Sequence, residues 1–217
     1  MDEQLFEFKE KGFIHLKNVI KPKELEITRN LAIELKIKYA EFEGQPRENG
    51  SGYFWKGLEM ASTLDDRLYP QYTSDTMIEL AKKFLEVEEP YLFNDQVVVK
   101  LPNEIFAFEP HFDNQYGINP EAALRGEFKT INFCQILTDM PIETGPISCL
   151  NNKTNEWETI TAKAGDIIAI EGNTIHGSTL NTSNNIRVVY ACVYSTHPIG
   201  NFQKGFYNYS VKKEKLD

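Results

Sequence analysis

Two rhythms of apolar residues divide the 217-residue chain. Up to about residue 90 they recur at spacings of three and four, the period of helices with one buried face. Leu5, Phe6 and Phe8 mark a short amphipathic helix over residues 2–11, and Gly12 to Leu16 reads as a short strand. Pro22 suits the first turn of a longer helix, in which Leu25, Thr28, Ala32, Leu35 and Tyr39 share one stripe. Met77, Leu80, Ala81 and Phe84 predict another helix over residues 75–86. The segment between, Glu43 to Ser74, is rich in Gly, Pro and polar residues. It is expected to be an irregular excursion able to act as a lid, with Tyr53, Phe54 and Trp55 as aromatic candidates for its inner surface.

Beyond about residue 92 the pattern changes to short runs rich in β-branched and aromatic residues: Gln96–Leu101, Thr130–Leu137, Gly165–Ile170, Thr174–Leu180 and Ile186–Ser195. Turn clusters such as Glu143-Thr-Gly-Pro and Asn181-Thr-Ser-Asn-Asn separate them. Helices first and strands second predict an α+β domain with a mainly β core, a sandwich or barrel flanked by N-terminal helices. No repeat or linker-like stretch interrupts the chain. One domain is therefore expected over residues 1–217, with a helical flank and lid at 1–90 and the β-core at 91–200.

Charge narrows the partners. Lys plus Arg number 23 against 32 Asp plus Glu, a net of −9. Nucleic-acid phosphates need a basic footprint, so nucleic acid is not expected; a small anionic ligand needs only one or two well-placed cations. Cys134, Cys149 and Cys192 are far apart and form no Cys-x-x-Cys pattern, which argues against a disulfide framework or a thiolate zinc site. No apolar run is long enough to predict a membrane span. The acidic start lacks the basic and apolar regions of a secretory signal, so a cytoplasmic protein is expected. The oligomeric state is left open.

The chain has four histidines, two of them in informative company. In His111-Phe112-Asp113 an extended backbone would put imidazole and carboxylate on one face. Such a triplet alone is a weak signal. His176 lies in a later strand candidate and shares a face with Ser178, and Arg187 opens the next strand candidate. Two imidazoles and one carboxylate form the facial triad of non-haem iron(II) oxygenases, leaving three positions for a chelating cosubstrate and oxygen. An arginine one strand away could hold the far carboxylate of a dicarboxylic cosubstrate as a fork. Lys100 is expected to be solvated, with a place facing the mouth of the site as the alternative, Cys134 to be a small buried hydrophobe, and His15 and His197 to be structural.

These segments resemble the phytanoyl-CoA hydroxylase family of 2-oxoglutarate-dependent iron(II) oxygenases. The likeness is carried by Phe8-Lys-Glu-Lys-Gly-Phe-Ile-His, Lys100-Leu-Pro leading to Pro110-His-Phe-Asp, Glu143-Thr-Gly-Pro-Ile-Ser, Ala164-Gly-Asp-Ile-Ile, and Ile175-His-Gly-Ser with Arg187. In the family an arginine follows the distal histidine by about eleven positions, as Arg187 follows His176 here. The resemblance implies a double-stranded β-helix (a cupin-like jelly roll), iron(II), 2-oxoglutarate and O₂. It also implies oxidative decarboxylation of 2-oxoglutarate to succinate and CO₂, coupled to hydroxylation of a small-molecule C–H bond. His111, Asp113 and His176 carry over as iron ligands, Arg187 and Ser178 as 2-oxoglutarate ligands, and Lys56 as a looser match to an upstream cosubstrate lysine. Related halogenases lack the carboxylate ligand, so Asp113 favours hydroxylation. Phe112 and Cys134 stand where relatives often have Gln and Trp. Two other readings stay open: a metal-dependent cupin that does not use 2-oxoglutarate, and a non-catalytic binding module of the same fold.

Overall fold

The computed structural model describes residues 2–40, 45–46, 53–54, 57–59, 61–104, 106–116, 120–198 and 209–210. The helical flank begins with α1 (Glu3–Lys11), β1 (Phe13–Leu16) and α2 (Pro22–Lys38). Asp2 caps α1 by accepting from the Gln4 and Leu5 N–H groups. Gly12 ends the helix at φ 83°, a conformation open to glycine. Helical spacing puts Leu5 and Phe8 on the inner face; Phe6 falls off it and is exposed, contrary to the sequence expectation.

Short elements follow: β2 (Gln45–Pro46), β3 (Tyr53–Phe54), β4 (Gly57–Glu59), α3 (Ala61–Leu64), α4 (Tyr69–Tyr72) and α5 (Asp75–Leu85). Part of the segment expected to be irregular is thus ordered structure. β4 pairs with a core strand, and the turns over residues 61–72 bury Ala61, Leu68 and Tyr72. Ser74 caps α5, whose Met77, Ala81 and Phe84 are buried as the periodicity predicts. Lys56, Trp55 and the side chains of Tyr53 and Phe54 lie outside the described residues.

The rest of the chain is β5 (Tyr91–Lys100), β6 (Phe108–His111), α6 (Pro120–Leu124), β7 (Thr130–Ile136), β8 (Ile147–Leu150), β9 (Trp157–Ile160), β10 (Ile167–Glu171), β11 (His176–Ser178), β12 (Arg187–Ser195) and β13 (Tyr209–Ser210). The major sheet runs β1-β10-β7-β12-β5-β4-β3-β2, with β13 also on β5, and the minor sheet runs β6-β11-β8-β9. Consecutive core strands alternate between sheets from β5 to β8 and from β9 to β12, which is the winding of a double-stranded β-helix.

The central strands β7, β10 and β12 of the major sheet are buried on both faces, and most of their residues are apolar. On the outer face Val97, Val99, Phe133, Tyr190 and Tyr194 pack against Leu35, Met77 and Phe84 of the helices. On the inner face Val98, Cys134, Val189 and Ala191 meet Ile147 and Cys149 of the minor sheet. Period-two alternation decides which residues face which layer. Each fully buried Phe or Leu contributes roughly 1.5–3 kcal/mol, and a one-residue slip in register would turn these side chains to the wrong face. Among the described residues no helix is long and apolar enough to cross a membrane.

Candidate functional site

The inner faces of the sheets line a small cavity of about 60 Å³ that opens to solvent. His111 ends β6 and His176 begins β11, and the antiparallel register sets them directly opposite each other. Their ring centroids are 4.4 Å apart. The strands can approach this closely because Gly177 follows His176: a Cβ there would lie 2.7 Å from the Phe108 carbonyl oxygen.

Asp113 follows β6 in a tight turn over Asp113–Tyr116. Asn114, only 4 % exposed, locks that turn: its N–H donates to the Gly172 carbonyl, and its side chain bonds Thr130 and Asn173. The Asp113 carboxylate is thereby brought to the histidines, with Oδ1 3.8 Å from His111 Nε2 and 3.5 Å from His176 Nε2. One ligand atom from each of the three residues lies within 4.8 Å of the others.

Hydrogen bonds orient each group for a metal. His111 Nδ1 lies 2.7 Å from the Glu109 carbonyl and His176 Nδ1 lies 3.0 Å from the Thr174 carbonyl. A carbonyl only accepts, so Nδ1 carries the proton and the Nε2 lone pairs point into the cluster. Burial, with His176 alongside, lowers the His111 pKa and favours the neutral, ligating form. Asn132 donates to Asp113 Oδ2 at 2.9 Å, leaving Oδ1 toward the histidines. The donor set of two imidazoles and one carboxylate fits iron(II).

Behind the cluster lies a cationic end. Arg187 opens β12 and is 2 % exposed; its Nη1 donates to the Gly145 carbonyl at 2.6 Å, while its buried Nε has no partner among the described residues. Burial lowers its pKa to about 10, which still leaves it charged at neutral pH. Ser178 lies in β11, two residues from His176, and both line the cavity with Arg187. An unpaired buried donor is costly to leave unmade. A ligand carboxylate between Arg187 and Ser178 would satisfy it, so the residues fit a 2-oxoglutarate whose other end reaches the metal.

The structure thus brings together five of the six candidates, and Lys56 is outside the described residues. Lys100 is not solvated, which corrects the first of its two sequence readings: it is fully buried, because it shares the inward face of β5 with Val98 and lies opposite Arg187 across the β5–β12 pair. Its ammonium donates to Ser178 Oγ at 2.8 Å and to the Thr179 carbonyl. Burial, reinforced by Arg187, pushes its pKa down to about 7. Asn132 also escaped sequence reasoning. Cys134 lines the cavity, and burial, with Asp113 nearby, raises its pKa to about 12, so it stays a protonated small hydrophobe. His15 pairs with Asp166 at 2.8 Å and His197 with Thr196, both away from the cluster.

Solved structures with this architecture include the non-haem α-ketoglutarate-dependent epimerase SnoN from nogalamycin biosynthesis. It is 19% identical, with 89% of this chain and 81% of that one covered and a TM-score of 0.72. The carbocyclase SnoK of the same biosynthesis is 17% identical, with 90% and 83% covered and a TM-score of 0.73. EctD from S. alaskensis with 2-oxoglutarate and 5-hydroxyectoine is 15% identical, with 89% and 75% covered and a TM-score of 0.73. At these identities the likeness is one of fold. No curated protein sequence matches the chain. The sequence itself matches the phytanoyl-CoA dioxygenase (PhyH) family over residues 8–189. That match and the His-Asp-His cluster together mark a non-haem, 2-oxoglutarate-dependent iron oxygenase. The matched span contains the cluster and Arg187 alike, and the chain belongs to the phytanoyl-CoA dioxygenase family.

Proposed function

We propose that the chain is a 2-oxoglutarate-dependent hydroxylase of a small molecule, with iron(II) held by His111, Asp113 and His176 and the far carboxylate of 2-oxoglutarate held by Arg187 and Ser178. The observation that carries this reading is the buried Nε of Arg187, without a partner among the described residues, behind a converging His-Asp-His cluster. A cupin that used the metal alone would have no need of that guanidinium, and a non-catalytic module would have no need of the cluster.

When bound, iron with 2-oxoglutarate and O₂ supplies the oxidising equivalents, and 2-oxoglutarate leaves as succinate and CO₂. The protein supplies position and electrostatics. Neutral His111 and His176 add no charge, and Asp113 offsets one unit of the metal's. Asn132 keeps Asp113 from rotating away. Arg187 fixes the long axis of the dicarboxylate, and Val98, Ile147 and Val189 give the cavity apolar walls that limit water.

The fold does not decide what becomes of the substrate: it is shared by an epimerase, a carbocyclase and a protein solved with 5-hydroxyectoine. The carboxylate ligand supports hydroxylation, since a halogenase would need that position open for halide. A screen of small molecules for iron-dependent release of succinate tests the reading. A hit should yield a product heavier by one oxygen atom, and turnover should vanish in His111→Ala and Asp113→Ala. Unchanged turnover in either variant would remove that residue from the metal site, and a product of unchanged mass would replace hydroxylation with isomerisation.

A further inference from the structure

Lys100 sits where folding alone gains nothing from a charge. It is fully buried and directly opposite Arg187 in the β5–β12 pairing, and like charges in that position repel. Among the described residues neither side chain makes an ion pair. Burying an ammonium without a counter-ion is expensive, and a Met at this position would fill similar space without that penalty.

The hydrogen bonds around Lys100 have a fixed polarity. An ammonium only donates, so Ser178 Oγ accepts from it at 2.8 Å. The single Ser178 O–H then has to donate elsewhere, and Ser178 lines the cavity beside Arg187. Lys100 itself is held back from the cavity by its second bond to the Thr179 carbonyl and by the Phe106 ring, whose centroid is 5.7 Å from Nζ.

We propose that Lys100 is a positioning residue for the cosubstrate: it compels Ser178 to donate its hydroxyl proton to the far carboxylate of 2-oxoglutarate, and it adds a second positive charge at that end of the cavity. The relay runs from Lys100 Nζ–H to Ser178 Oγ, and from Ser178 Oγ–H to the carboxylate. This rests on the reading that 2-oxoglutarate is the cosubstrate. It makes the site selective for keto acids with an anionic far end over keto acids of equal length without one.

The test is anaerobic titration calorimetry on the iron(II)-loaded full chain, with 2-oxoglutarate and with 2-oxovalerate, which has a methyl group in place of the far carboxylate. Wild type should prefer 2-oxoglutarate. In Lys100→Met that preference should fall by roughly ten- to a hundredfold, the size of a lost hydrogen bond to a charged group, with 2-oxovalerate and iron(II) affinities retained. Ser178→Ala, which removes a single oxygen atom and tests the same relay if Lys100→Met does not fold, should show a similar fall. Combining the two should add little, because each breaks one chain of bonds. A purely structural Lys100 would weaken both keto acids equally, and that result overturns the proposal. So does a Ser178→Ala protein that keeps the full preference. If iron-loaded wild type binds neither keto acid, the 2-oxoglutarate reading itself fails, a result distinct from either of those.

Discussion

Asp113 depends on a single neighbour for its orientation. One oxygen accepts from Asn132 Nδ2 at 2.9 Å, and the other is left for the histidine side of the cluster. Asn132→Ala removes that bond and frees the half-buried carboxylate to rotate. Metal affinity should drop by about 10–100-fold, as for other partners of metal ligands, with the fold intact by circular dichroism. Titration with iron(II) measures it, and wild-type affinity would show that the turn around Asn114 holds Asp113 unaided. At this scale the sequence exposed the residues that cluster but not their supports. His111 and Asp113 are two positions apart, and the spacing of His176 and Arg187 is local, so a linear reading finds them. Asn132 meets Asp113 only because β7 passes beneath the turn after β6, and nothing in Ile131-Asn-Phe announces it. For Lys100 the sequence left two readings open, and its place on the same strand face as Gln96 and Val98 decides for the site.

Elements show the same division. The long major-sheet strands β5, β7 and β12 are written in β-branched and aromatic runs and were legible. The minor-sheet strands are three or four residues long, and β6, β8 and β9 escaped notice because so short a segment carries little periodicity. The predicted strand Thr174–Leu180 survives only as His176–Ser178, since Thr174 closes a turn onto the Glu171 carbonyl. These short strands place the chemistry, and the turns between them carry part of it. Gly145, at φ 72°, ends the turn before β8 and offers its carbonyl to Arg187. A Cβ there would lie 2.3 Å from the Thr179 carbonyl oxygen and 2.6 Å from that of Leu180. Gly145→Ala therefore has to shift backbone on both sides. It should lose about 1–3 kcal/mol in urea unfolding and, by tilting Arg187, weaken 2-oxoglutarate more than iron(II). Equal losses for the two ligands would mean that Arg187 keeps its aim without Gly145.

For the whole molecule, the two sheets contribute different halves of the site. His111, His176 and Ser178 come from the minor sheet, and Asn132, Arg187 and Lys100 from the major one. On the proposed reading, metal and dicarboxylate would join layers that the ligand-free protein must hold together against its own buried cations. Linkage gives the sign of that strain. Lys100 has a pKa of about 7 in the folded chain against 10.5 as its ordinary value. Below about pH 7 it is protonated in both the folded and unfolded states, and the full destabilisation is present. As the pH rises from about 7 toward 10.5 the folded state sheds the proton first, and stability increases. The groups facing it do not reverse this: Arg187 stays charged over most of the range, Ser178 and Thr179 are neutral, and Glu104 acts only at a distance. Ligand-free wild type should thus gain stability relative to Lys100→Met across that window. Iron(II) with 2-oxoglutarate at a hundredfold excess over its dissociation constant should add about 2.7 kcal/mol near neutral pH. The ligand-induced gain should shrink as pH rises, because binding must then return a proton to Lys100. Denaturant unfolding of both proteins at several pH values, with and without ligands, measures all three effects. A wild-type to Lys100→Met difference that stays flat from pH 7 to 10.5 would mean that the buried ammonium is already neutralised within the fold.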